Sequence, residues 1–179
     1  MKSIELTGSG SINSRSAVAD LAEQQRLKML SPRKWFKGDF SISTDKTLLD
    51  THFLFSVLSP HDSDKRHIAL ALRGSLCFGV YRNERQIGFA RIVSDLAGTA
   101  IIRDIYISPE YRFIGLGSWL LSCCLTHPAM HKSQTVIGWG SDASHFLKKN
   151  GFKPVENMPE MHLVQVHAHN VSGQFSPVH

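Results

Sequence analysis

Cysteine is scarce in this 179-residue chain, which has only Cys77 and the adjacent pair Cys123 and Cys124. An odd count with two neighbours makes a poor disulfide framework, so the fold is expected to rest on a packed core. The cytoplasm is the default compartment for such a chain. Long apolar runs are also lacking, and none approaches the roughly 18 residues of a membrane span. The N-terminus has no apolar block of the secretory type and carries Glu5, Asp20 and Glu23. A metal-ligand pattern is missing as well. His127 and His131 stand four apart, but Pro128 between them breaks the helix that would aim both at one ion. His162, His167 and His169 have no cysteine or carboxylate at a recognisable spacing. No metal is expected, and the thiols read as small hydrophobes rather than nucleophiles.

What is present fits a globular α/β protein, with 42% hydrophobic and 20% charged residues. The length suits one domain. The net charge of +5 is uneven: residues 1–38 hold seven bases against three acids. These residues are expected to form a basic, loosely ordered arm with little to add to a core, although Arg15 to Leu30 could make one helix. The domain proper is placed at 39–166, followed by a polar tail at 167–179. The arm's charges are scattered and its aromatics are only Trp35 and Phe36, so nucleic acid is not the expected partner.

Along the domain, Phe40–Thr44 alternates as a strand. His52–Leu58 and Lys65–Leu72 read as short helices, the second stopped by Gly74. Leu76–Tyr81, Gln86–Val93 and Ala100–Ile107 form an antiparallel meander, with turns at 82–85 and 95–99. Ser108-Pro109 ends the third strand, and an apolar helix runs from Trp119 to Leu125. Thr135–Trp139 is a strand. A helix over Ala143–Asn150 follows, capped by Ser141 or Asp142 and stopped by Gly151, with Met161–Val166 as the last strand.

The most informative stretch lies between the meander and the apolar helix: Arg112-Phe-Ile-Gly115-Leu-Gly117. A strand, a glycine-bearing loop and a helix in that order point unpaired backbone N–H groups at an anion, aided by the helix dipole. Arg-x-x-Gly-x-Gly is neither the nucleotide phosphate loop nor the dinucleotide fingerprint.

It resembles the pyrophosphate loop of the GNAT superfamily of acyl-CoA-dependent N-acetyltransferases, Gln/Arg-x-x-Gly-x-Gly/Ala. A second stretch agrees with that family's last helix, Ala-x-x-Leu-Tyr-x-Lys-x-Gly-Phe, at Ala143, Lys149, Gly151 and Phe152, with Phe146 a conservative replacement. The likeness is colinear from about Phe40 to Val166 and is nearest to small single-domain bacterial members. It implies a mixed, mostly antiparallel sheet flanked by helices, with acetyl-CoA as co-substrate where two parallel strands splay. Ile105, Tyr106 and Ile107 would offer N–H groups to the pantetheine and acyl carbonyl. Arg112, Phe113, Ile114, Gly115, Leu116, Gly117 and Ser118 would hold the pyrophosphate. The acceptor would be the primary amine of a small molecule or peptide, with a homodimer left open.

Three features depart from the family. Phe113 and Ile114 stand where it usually has glycine and a base. Gly140 stands where many members have asparagine. Leu147 replaces the tyrosine that often protonates the leaving thiolate. Asp104 and Tyr106, placed by alternation on one strand face, are the candidates for proton handling, with Asp95 next, then Glu110 and His145. Two rival readings stay open: a catalytically silent acyl-CoA-binding module, and a partner- or nucleic-acid-binding protein acting through the arm.

Overall fold

A computed structural model describes residues 10–58, 64–139, 143–154 and 163–166. The chain divides into two compact units, Met1–Ser31 and Pro32–His179. The first holds one helix, α1 (Gly10–Met29), whose residues from Ala17 to Lys28 are all exposed. A Glu23–Arg26 pair of 3.3 Å lies along its surface, where such pairs add little.

The second unit is built on a sheet whose order is β1 (Lys34–Lys37), β2 (Phe40–Ser43), β3 (Leu76–Arg82), β4 (Arg85–Ser94), β5 (Thr99–Ile107), β6 (Thr135–Trp139), β8 (Leu163–Val166) and β7 (Lys153–Pro154). Every neighbour pairs antiparallel except β5 and β6, which are parallel. The helices of this unit are α2 (Thr51–Leu58), α3 (Lys65–Arg73), α4 (Leu116–Leu125) and α5 (Ser144–Lys149).

The expected elements are present, with two additions. β1 was assigned to the arm, and it instead forms a strand of the sheet, paired with β2 from Lys34↔Ser43 to Lys37↔Phe40. Trp35 is the reason: its ring stacks on Phe78 at 6.1 Å and tilts against His127 at 6.2 Å, so one aromatic fastens an otherwise charged strand. The domain's sheet therefore begins at Lys34, not after residue 38. The short β7 is the other strand not foreseen. Ser141 and Asp142 lie outside the described residues, as do Met161 and the 167–179 tail.

The central strands β3 and β4 bury both faces because helices cover both. On one face Leu54 and Leu58 of α2 and Ile68 of α3 pack with Cys77 and Phe89. On the other, Phe78 meets His127, just beyond α4, at 5.6 Å, and Leu120, Leu121 and Cys124 of α4 are fully buried. All three cysteines are buried, and burial pushes the Cys77 thiol up to about 11 and Cys123 up to about 12. They are the small hydrophobes the sequence implied.

The two-residue turn Asn83-Glu84 has positive φ at both residues, 46° and 68°, matching the twist that tight hairpins require. Two polar ties fix the α2–α3 layer to the sheet. Gln86 Oε1 accepts from the Asp50 N–H at 2.8 Å, and Lys46 Nζ donates to the Leu72 and Arg73 carbonyls that close α3.

Candidate functional site

The parallel pairing of β5 with β6 runs from Thr99↔Thr135 to Ile102↔Gly138 and ends there. β5 continues for five residues, to Ile107, held only on its β4 side among the described residues. This is the splay that the family likeness implied. Ser108 donates to the Ile87 carbonyl at 2.8 Å, and Tyr106 lies opposite Phe89 in the same ladder. Backbone donors alternate along a strand, so Ile107 and Ile105 turn their N–H groups away from β4 and into the splay. Tyr106 does not: its N–H faces β4. Of the three expected backbone donors, Ile105 and Ile107 remain.

The chain then makes a 3-10 turn over Pro109–Tyr111 and enters the glycine loop. Phe113 and Gly115 both have positive φ, 64° and 88°. At Gly115 a left-handed backbone that suits glycine starts α4. The first intrahelical bond is Trp119 N–H to Gly115 O at 3.0 Å, and no side chain caps the helix. The N–H groups of Leu116, Gly117 and Ser118, at the first turn of the helix, thus have no intrahelical acceptor among the described residues. Phe113 is fully exposed and Ile114 largely so, and neither adds charge to the loop.

Arg112 has a structural part within the loop. Its Nε donates to the Ile107 carbonyl at 2.8 Å, and its guanidinium lies 5.5 Å from the Tyr106 ring. It ties the loop back to the end of β5, because that carbonyl, like the Ile107 N–H, has no strand to pair with. Gly117 serves packing as well as approach: a Cβ there would sit 3.2 Å from the Phe146 ring of α5.

The proton-handling candidates are sorted by their partners. Asp104 is bonded to Arg91 Nε, both side chains being largely buried, and Arg91 Nη1 donates to Ser75 Oγ at 3.1 Å. That carboxylate is committed to the ion pair. The plain alternation used to place it is also broken, since a bulge sets Asp104 and Ile105 together opposite Ala90 and gives Asp104 a φ of 56°. Asp95 is occupied by its own turn. Its carboxylate accepts from the Ala97, Gly98 and Thr99 N–H groups at 3.0 Å each, which hold it below the usual carboxylate range. Glu110 and His145 are exposed. Tyr106, half-buried and edge-on to Phe53 of α2 at 5.9 Å, is the side chain left beside the splay.

Leu147 does not face this cleft. It is fully buried, seated on Gly138, where an added Cβ would meet its methyls at 2.8 and 3.0 Å. Gly140 lies outside the described residues. The Arg91–Asp104 pair went unread in the sequence, although Arg91 was its signal: a lone charge at an inward position within the apolar run Ile87–Ile92.

A mixed sheet that parts at its parallel pair and feeds a glycine loop and an uncapped helix defines an α/β protein built to hold an extended anionic ligand. A model of the acetyltransferase (GNAT) domain matches residues 73–154. A GNAT-family protein from Xanthomonas campestris pv. campestris is 30% identical, with 65% of this chain covering 86% of that one at a TM-score of 0.59. A Gibberella zeae protein bearing a provisional acetyltransferase name is 29% identical over 119 residues, 53% of this chain and 67% of that protein. A GNAT-family acetyltransferase from Elizabethkingia anophelis, crystallised with acetyl-CoA, shares the fold at a TM-score of 0.57 and 18% identity, over 73% of this chain and 99% of that one. The chain belongs to the GNAT family of acetyltransferases.

Proposed function

We propose that the protein transfers an acetyl group from acetyl-CoA to the primary amine of a small molecule or peptide, by direct attack in a ternary complex. The observation that carries this reading is the end of β5–β6 pairing at Ile102↔Gly138, with β5 running on beside it into the open N-terminus of α4. In this arrangement Ile105 and Ile107 donate to the pantetheine and the acyl carbonyl, and the N–H groups from Phe113 to Ser118 hold the pyrophosphate. Arg112 Nε fixes the loop against β5, and the backbone donors and the α4 dipole meet the phosphate charge. The amine attacks the carbonyl carbon, the thiolate leaves as coenzyme A, and the amine's proton passes to solvent past the Tyr106 hydroxyl. Alignment of the two reactants supplies much of the rate.

The engaged states of Asp104 and Asp95 and the burial of Leu147 favour one second reading, an acyl-CoA-binding module without transfer. Calorimetry with acetyl-CoA, followed by thiol-release assays over a panel of amines, separates the two. Binding with release supports the transferase, and binding without release on every amine supports the module. Gly115→Val, which meets no neighbour but opposes the left-handed backbone, is expected to weaken acetyl-CoA binding at least about tenfold. Unchanged affinity in that variant would sink the loop assignment.

A further inference from the structure

The bulge at Asp104 lies in β5 just beyond its last pair with β6, and the β4 register shifts there. Arg103 is in register with Arg91 and Tyr106 with Phe89, so Asp104 and Ile105 together span the position opposite Ala90. Asp104 must adopt a φ of 56° to do so, a conformation that aspartate tolerates better than most residues but does not prefer. Strain of this kind persists only where the surroundings impose it. Here they are specific. The Asp104 carboxylate is bonded to Arg91 Nε, Arg91 Nη1 donates to Ser75 Oγ, and Ser75 Oγ donates to the Ala71 carbonyl at 2.6 Å. Three elements, α3, β4 and β5, and the turn that follows α3 thus hold one peptide.

We infer that Arg91 and Asp104 are positioning residues: their ion pair pins the bulge and thereby aims the Ile105 and Ile107 N–H groups into the cleft. The inference rests on the proposed acetyl-CoA reading for its consequence, but not for its geometry. Without the pair, Asp104 relaxes toward ordinary extended backbone. A one-residue shift then follows, and such a shift turns every donor beyond it to the opposite side. The ligand would lose its two β5 donors at once, although neither side chain touches it.

The test uses the full chain and reads both geometry and binding. Backbone amide resonances of Ile105 and Ile107 are recorded without ligand in wild type, Arg91→Met, Asp104→Val and Asp104→Asn. Acetyl-CoA affinity is measured for each, well below the melting temperature. Thr44→Val, which removes the bond from the Arg33 N–H at the far edge of the sheet, serves as a destabilised control. Arg91→Met and Asp104→Val are expected to move both amide resonances and to weaken acetyl-CoA binding about tenfold or more. Asp104→Asn, which tolerates the same backbone and still accepts from Arg91, is expected to stay within about threefold of wild type. The control is expected to lose stability and keep its affinity.

Unmoved amides in Arg91→Met and Asp104→Val would overturn the inference. An Asp104→Asn protein that binds normally but transfers nothing would overturn it too, by making the carboxylate a participant in the chemistry. If wild type does not bind acetyl-CoA, the cofactor reading fails alone, and the ligand-free amide resonances still decide the role of the pair.

Discussion

At the scale of single residues, the structure changes what Leu147 and His127 mean. The family resemblance puts a thiolate-protonating tyrosine where this chain has Leu147, which implies a missing acid. The residue instead fills a core position between Gly138 and Phe152, with no room for a larger ring. Leu147→Tyr is expected to overpack that site, costing about 1–3 kcal/mol without raising turnover, a loss that denaturant melts would register. His127 stands out in the sequence only for its spacing to His131 across Pro128, yet it is fully buried between Trp35 and Phe78. Its Nδ1 accepts from the Ala129 N–H at 3.2 Å, so the ring is neutral with its proton on Nε2. Burial, with Arg33 and His131 adding to it, lowers its pKa from 6.5 to about 4. A histidine depressed in the fold binds its proton more readily when unfolded. Its contribution is therefore complete above about 6.5, drains away as pH falls toward 4, and changes no further below that. Between pH 7 and 5, where ordinary carboxylates stay charged, the denaturation midpoint of wild type should fall. That of His127→Asn, though lower at neutral pH, should fall less. Parallel curves would show that His127 is not the titrating group.

At the scale of elements, periodicity and breakers carried most of the fold. The meander, both short helices of the α2–α3 layer, the loop and α4 were legible because their patterns are local: alternation, an aspartate cap, a glycine stop. β1 was not legible, since Lys34-Trp-Phe-Lys37 carries more charge than pattern and joins the sheet through one long-range stack. β7 is two residues long and too short for any period. The bulge in β5 was hidden for a related reason, because its partner charge lies on another strand. The arm also takes on a different boundary. A chain starting at Pro32 retains β1, while one starting at Gly38 loses it and uncovers Phe78 and His127. The second truncation should melt lower than the first by more than about 5 °C, given that removing a packed tryptophan costs about 3–5 kcal/mol. Equal melting temperatures would show that β1 adds nothing to the fold.

At the scale of the whole molecule, the striplike site offers donors rather than an acid–base couple. One end is the β5 edge, the other the start of α4, and Arg112 joins them through the Ile107 carbonyl. The α4 end could be read from glycine spacing and element order and the β5 edge from the family resemblance, whereas the Arg112 bond was not foreseen. The proton path could not be read, since it depends on which carboxylates are already engaged, and Asp104 and Asp95 both are. Asp104 and Asp95 being engaged, the proposed transfer draws its neutral amine from solution equilibrium. Transfer should therefore rise with pH along the titration of the acceptor itself, and two amines of different pKa should give profiles displaced by that difference. A shared inflection for both amines would point to an ionising group on the protein, and its loss in Tyr106→Phe would assign it to Tyr106. Displaced profiles in wild type and Tyr106→Phe alike would leave alignment by the Ile105, Ile107 and α4 donors as the source of the rate.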